Sequence, residues 1–242
     1  MRSRVLVAGV SLVASSLFSL ALSAADPPAA AAGADDRVRA VQTKESQSAL
    51  KPADAVKMLK DGNERFVTGH RLKRSYTSQV KASAKGQAPY AAILGCMDSR
   101  ASHEIVFDQG IGDVFSIRVA GNVVDEDDLG SLEYAGKLVG VKVIVVMGHT
   151  SCGAVKGAIE DEKLGNLTAL LAKIKPAVAA SGHGEAKEKA YVTKVVEANV
   201  RQSMKEIREK SPVLKELFDS GAVGLVGAVY DVETGKVTFW AD

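Results

Sequence analysis

The chain is poor in the residues that build disulfide scaffolds and nucleic-acid surfaces. Its 242 residues include two cysteines, so one disulfide is the most they permit, and no C-x-x-C pair is present. Whether these two cysteines pair, ligate or simply pack stays open until their neighbours are read. Lysine plus arginine (31) nearly balance aspartate plus glutamate (29), and the basic residues are scattered rather than blocked. A net charge of +2 spread in this way gives no focused field for nucleic acid and no polybasic membrane patch. No internal repeat is visible, so a solenoid is excluded. A composition 46% hydrophobic and 25% charged suits one ordered domain with appendages. Small molecules and further copies of the chain are the partners left.

The first residues look like an address. Arg2 and Arg4 precede an apolar stretch over residues 5–22, interrupted by Ser11, Ser15, Ser16 and Ser19, and Ser23-Ala24-Ala25 offers small residues for cleavage. Residues 1–25 therefore read as a signal peptide, because the repeated serines and the small-residue end weaken the alternative of a retained anchor. The expected product is periplasmic or otherwise exported, starts at Asp26 and has no stable membrane association. Residues 26–36, rich in alanine and proline, read as a flexible linker, and 37–242 as the folded domain.

Pro52 followed by Ala55, Leu59, Gly62 and Phe66 predicts an amphipathic helix over 52–67. Apolar runs at 91–95, 114–119, 141–147 and 222–230 have the character of strands buried on both faces. A helix capped by Asp127 or Asp128 carries Leu132, Ala135, Gly136 and Val139 on one face and leads into the strand at 141. Helical patterns at 165–180 and 187–210 precede the strand at 222, and Glu233-Thr234-Gly235 turns that strand into a hairpin with 237–240. The fold class is α/β: a mostly parallel central sheet flanked by helices, with a C-terminal hairpin and an N-terminal helical arm.

Cys96 stands where the first strand ends, and the strand at 141 runs into Gly148-His149-Thr150-Ser151-Cys152-Gly153. Ligands of open α/β sheets bind outside the carboxyl ends of the strands, so both clusters point to one crevice. Two thiolates and an imidazole suit zinc, which prefers tetrahedral sulfur and nitrogen donors. His149-x-x-Cys152 alone is a weak signal; Cys96-Met97-Asp98-Ser99-Arg100 strengthens it, because a cysteine, a carboxylate and a guanidinium alternate after a strand end. Zinc on three protein ligands keeps a position for water and lowers its pKa to roughly 7. Asp98 can accept that water's hydrogen bond, and Arg100 can hold Asp98 by a bidentate contact, ionised and off the metal.

Cys96-x-Asp98-Ser99-Arg100 followed by His149-x-x-Cys152-Gly153 resembles the β-class carbonic anhydrases, a likeness running from Gly62-Asn63-x-Arg65-Phe66 through Phe107-Asp108-Gln109-Gly110 and Arg118-Val119-Ala120-Gly121-Asn122 to the terminal hairpin. The resemblance implies one zinc per subunit on Cys96, His149 and Cys152, and reversible hydration of carbon dioxide to bicarbonate and a proton. It also implies a homodimer or dimer of dimers whose pockets draw walls from both subunits, with the 52–67 helix as an arm to the partner. In the plant-like branch a glutamine, a phenylalanine and a tyrosine line the substrate pocket; Gln87, Phe115 and Tyr134 fall at those places, with Ala120 beside Phe115 as apolar wall. Members that close the site with the aspartate carry a tryptophan three positions before the first cysteine, whereas this chain has Ile93, which implies the open form.

The chain departs from the family at Ala101, where valine is usual, and at Ser102-His103-Glu104, which is expected to alter the pocket rim. His70, His103 and His183 read as solvated. Three rivals remain: hydrolysis of carbon disulfide or carbonyl sulfide on the same scaffold, a catalytically silent zinc protein, and a redox protein with a Cys96–Cys152 disulfide, which leaves Asp98 and Arg100 without purpose.

Overall fold

The computed structural model describes residues 40–241, so the expected signal peptide, the expected linker and the first residues of the expected domain lie outside the described residues. Strands β1 (Ala91–Gly95), β2 (Val114–Arg118), β3 (Val143–His149), β4 (Gly224–Tyr230) and β5 (Val237–Ala241) form one sheet in the order β2-β1-β3-β4-β5. The first four are parallel, and β5 turns back antiparallel to β4. The helices are α1 (Lys44–Ala49), α2 (Pro52–Val67), α3 (Tyr76–Ser83), α4 (His103–Val106), α5 (Glu126–Glu133), α6 (Gly153–Glu160), α7 (Gly165–Ala172), α8 (Lys175–Ala180), α9 (Lys189–Lys210) and α10 (Pro212–Asp219).

Every residue of β1 and β3 is buried, as unbroken apolar runs require of strands covered on both faces. Alternation then splits the core. Ile93, Val145 and Met147 pack with Ala55, Leu59 and Phe107 on the α2 side, while Leu94, Ile144 and Val146 pack with Val200, Met204, Ile207 and Leu214 on the α9 side. A third cluster joins Cys96 and Cys152 to Val155, Leu171 and Ile174 beneath α6 to α8. Truncating one of these fully buried side chains to alanine costs about 2–5 kcal/mol.

Several boundaries differ from the sequence reading. The strand expected at 141–147 begins and ends two residues later, because Gly140 (φ 84°) closes the preceding helical turn and the Val141 N–H bonds back to Ala135 O at 3.1 Å. The cap of α5 is Asp125, not Asp127 or Asp128. Asp125 and Asp128 accept each other's backbone N–H at 3.3 and 3.1 Å, a reciprocal box that starts the helix earlier. The helix expected over 165–180 is two, α7 and α8, parted just before Pro176, whose ring and missing N–H break a continuous helix. The short helices α1, α3, α4, α6 and α10, each of eight residues or fewer, were not expected.

Helix α2, the expected helical arm, packs one face on this chain's own sheet. Ala55 and Leu59 of α2 are fully buried, and Asn63 bonds Val106 O, Gly235 O and the Val237 N–H at 2.8–3.0 Å. His103 departs from its expected solvation: it is fully buried, while His70 and His183 are exposed. Its ring rests over Gly95, where a Cβ would sit 2.2 Å from Nε2, so only glycine leaves room for it. Nδ1 pairs with Ser116 Oγ at 2.8 Å. Burial, helped by the positive charge of Arg118, pushes the imidazole down to about 3, so it is neutral at ordinary pH.

Candidate metal centre

Strand register builds the centre. Gly95 of β1 lies opposite Met147 of β3 in parallel pairing, so Cys96 and His149 leave the same end of the sheet on adjacent strands. His149 is the last residue of β3. Thr150 and Ser151 (φ 57°) then turn the chain so that Cys152 caps the start of α6. The Cys96, His149 and Cys152 donor atoms lie within 4.8 Å of one another, and all three residues are buried.

The donor chemistry suits a zinc ion. His149 Nδ1 is 2.9 Å from Thr150 O, so it carries the proton and leaves the Nε2 lone pair free; Nε2 is buried with no hydrogen-bond partner. An orphaned buried nitrogen beside two sulfurs is costly unless a cation takes its lone pair. Cys96 is drawn well below the ordinary thiol range, first by its hydrogen bond with Cys152 and then by His149 and the Gly121 N–H, against burial. Cys152 is pushed up by the same pairing and by burial. One thiolate is thus favoured by the protein alone, and a divalent cation makes a second thiolate favourable.

Asp98 is not a member of the three-residue donor group, although its Oδ2 is 3.7 Å from His149 Nε2. Arg100 grips it: Nε to Oδ1 at 2.9 Å, Nη2 to Oδ2 at 2.7 Å, and the Arg100 backbone N–H to Oδ1 at 2.9 Å. The Arg100 side chain, followed by that N–H, holds the carboxyl far below the usual carboxylate range despite partial burial.

Two further supports carried no role in the sequence reading. Arg118 donates to Cys96 O at 3.1 Å and to Asp98 O at 2.6 Å, clamping the loop that bears both. The Gly121 N–H donates to Cys96 Sγ at 3.3 Å from a left-handed conformation (φ 69°); a Cβ there would meet Ile174 at 2.6 Å. Both residues lie in the Arg118-Val119-Ala120-Gly121-Asn122 segment, so the signal was present without its meaning.

Of the candidate substrate residues, Ala120 adjoins this cluster through Gly121. The other three lie elsewhere. Gln87 is exposed in the loop before β1, and Phe115 pairs with Ala92, four residues before Cys96, roughly 13 Å along the strand. Tyr134 is 48% exposed with its ring 6.1 Å from that of Phe115. Phe115 and Tyr134 line an open groove of about 600 Å³ with Ser116, Ile117, Gly130 and Ser131.

The family profile described as carbonic anhydrase matches residues 91–237. The chain belongs to the carbonic anhydrase family, in its β class. It is 38% identical over 191 residues to carbonic anhydrase 2 of Mycobacterium tuberculosis, covering 76% of this chain and 91% of that one. Among solved structures it is similar to the Coccomyxa β-carbonic anhydrase determined with acetazolamide, at a TM-score of 0.61 and 28% identity over 67% of this chain and 76% of that one. It is similar too to two tetrameric β-carbonic anhydrases of Sordaria macrospora, at a TM-score of 0.59 and 26% identity over 77% of this chain and 94% of theirs. The enzyme has carbonic anhydrase activity, and the Cys96, His149 and Cys152 triad is typical of the zinc-binding β-class enzymes. No helix among the described residues is long and apolar enough to cross a membrane.

Proposed function

We propose that the enzyme hydrates carbon dioxide in an open site, in which Asp98 stays off the metal and orients the attacking water. The observation that carries this reading is the two-point grip of Arg100 on Asp98. Bound by Cys96, His149 and Cys152, zinc supplies a Lewis acid strong enough to bring the pKa of water down to roughly 7. Asp98, kept ionised, accepts a hydrogen bond from the nucleophile and aims its lone pair at the carbon of the substrate. Arg100 spends its guanidinium on Asp98 and so fixes that carboxylate's direction.

The substrate wall comes from a second copy of the chain. Phe115 sits too far along β2 to reach the ligands of its own subunit, Tyr134 packs beside it and Gln87 precedes β1, and the exposure of Gln87 and Tyr134 suits contact with another copy. Tyr76, Val80, Ile105 and Ile111 add exposed apolar surface for a homodimer. There Gln87 hydrogen-bonds a substrate oxygen, while Phe115 and Tyr134 meet Ala120 to close an apolar pocket. The tetrameric state of the Sordaria enzymes is consistent with a dimer of dimers. Export through residues 1–25 completes the proposal; a mature mass beginning at Asp26 supports it, and an intact Met1 in a membrane-bound product overturns it.

The deciding experiment pairs zinc analysis with gas hydration assays on the purified enzyme at neutral pH. Stoichiometric zinc with carbon dioxide hydration is the expected result. Turnover of carbon disulfide or carbonyl sulfide without carbon dioxide hydration overturns the substrate, and hydration confined to alkaline pH overturns the open site.

A further inference from the structure

Helix α9 reaches the metal centre through two polar side chains buried in its apolar face. Asn199 is 1% exposed and Ser203 is 3% exposed, one turn apart among Val196, Val200, Met204 and Ile207. Asn199 Nδ2 donates to Gly121 O at 2.7 Å, and Ser203 Oγ donates to Asn122 O at 2.9 Å. These two carbonyls belong to consecutive left-handed residues, Gly121 at φ 69° and Asn122 at φ 44°. Glycine adopts that region freely and asparagine more readily than other side chains, at a modest cost that surrounding contacts offset. The same turn aims the Gly121 N–H at Cys96 Sγ.

We propose that Asn199 and Ser203 are positioning residues for the metal thiolate. By holding the Gly121–Asn122 turn from behind, they keep the Gly121 N–H on Cys96 Sγ and so set the electron-donating strength of that sulfur toward zinc. An N–H···S bond draws charge from a thiolate. Its loss makes the sulfur a stronger donor but leaves its direction unguided, and partners of this kind are worth about 10–100-fold in metal affinity. Both side chains bond backbone carbonyls of the turn, so their effect runs through it. The inference rests on Cys96 being a metal ligand.

The test replaces zinc with cobalt(II) and reads the thiolate-to-cobalt charge-transfer band, together with metal affinity measured by competition with a chromophoric chelator. Asn199→Asp keeps the shape but removes the donor, and Ser203→Val compared with Ser203→Thr removes or keeps a hydroxyl at equal size. Ile207→Ala, fully buried one turn further along the same helix, reports a loss of packing alone. Asn199→Asp and Ser203→Val should move the band to longer wavelength and weaken metal binding about tenfold, while Ser203→Thr and Ile207→Ala keep the wild-type band. Folded Asn199→Asp and Ser203→Val proteins with an unmoved band overturn the proposal, and so does an equal shift in Ile207→Ala. Absence of any thiolate band in the wild-type cobalt protein instead overturns Cys96 as ligand.

Discussion

The two ends of β1 carry different kinds of site. At its carboxyl end, Cys96 meets His149, Cys152, Asp98 and Arg100 within one chain, mostly buried and held by named hydrogen bonds. Near its amino end, Gln87 and Tyr134 are exposed and Phe115 faces an open groove. The first end has its chemistry but little apolar wall, and the second has apolar wall without chemistry. The donor group is therefore complete within the single chain, whereas the substrate pocket, as proposed, draws on a second copy.

The largest effect should come from breaking the complete end. Cys152→Ala leaves two protein donors, so zinc analysis should find the metal lost and hydration at background. Stoichiometric zinc in that variant would remove Cys152 from the ligand set. Next, Asp98→Ala should keep zinc while lowering kcat about 100-fold, since the carboxylate orients rather than binds; metal loss in this variant would place Asp98 among the ligands.

The incomplete end predicts a smaller loss and a complementation. Gln87→Ala with Tyr134→Ala should retain zinc and reduce kcat/KM about tenfold, a loss of one polar contact and one wall. Mixing that double variant with the metal-free Cys152→Ala chain should then recover activity, because each mixed dimer joins an intact metal to an intact wall. Random pairing makes about a quarter of the sites whole. A mixture no more active than the sum of its parts would mean that each chain builds its own pocket.

The smallest predicted effect is on stability, at His103. The fold holds this imidazole neutral with its pKa pushed to about 3, against roughly 6.5 when unfolded. Its contribution is therefore full above about pH 6.5 and is lost as pH falls toward 3, by about 2 kcal/mol at pH 5. Urea unfolding of wild type and His103→Gln, which share the same zinc ligands, should converge by that amount between pH 7 and pH 5. Parallel pH profiles would show that His103 is not held neutral.

How legible each part was depends on the range over which the information acts. The β1 run, the α2 stripe and the hairpin were readable because period and turn chemistry act within a few residues. Asn199 and Ser203 carried a signal too, two polar residues interrupting an apolar helical stripe, but nothing local says what they meet. Phe115 was named, yet its separation from Cys96 follows from the parallel register of β1 and β2, which no single segment displays, and Tyr134 is placed by its ring contact with Phe115.

Sequence alone determined the ligand types, the Asp98–Arg100 spacing that allows a bidentate grip, and the α/β class, since each follows from residue chemistry and short-range periodicity. Tertiary structure decided that β1 and β3 pair with Gly95 opposite Met147, which brings two ligands 53 residues apart to one point. It also decided that His103 is buried over Gly95, and that α9 holds the turn behind Cys96. Such contacts join residues distant along the chain, and their geometry exists only once strand register and helix packing are set by the shared core.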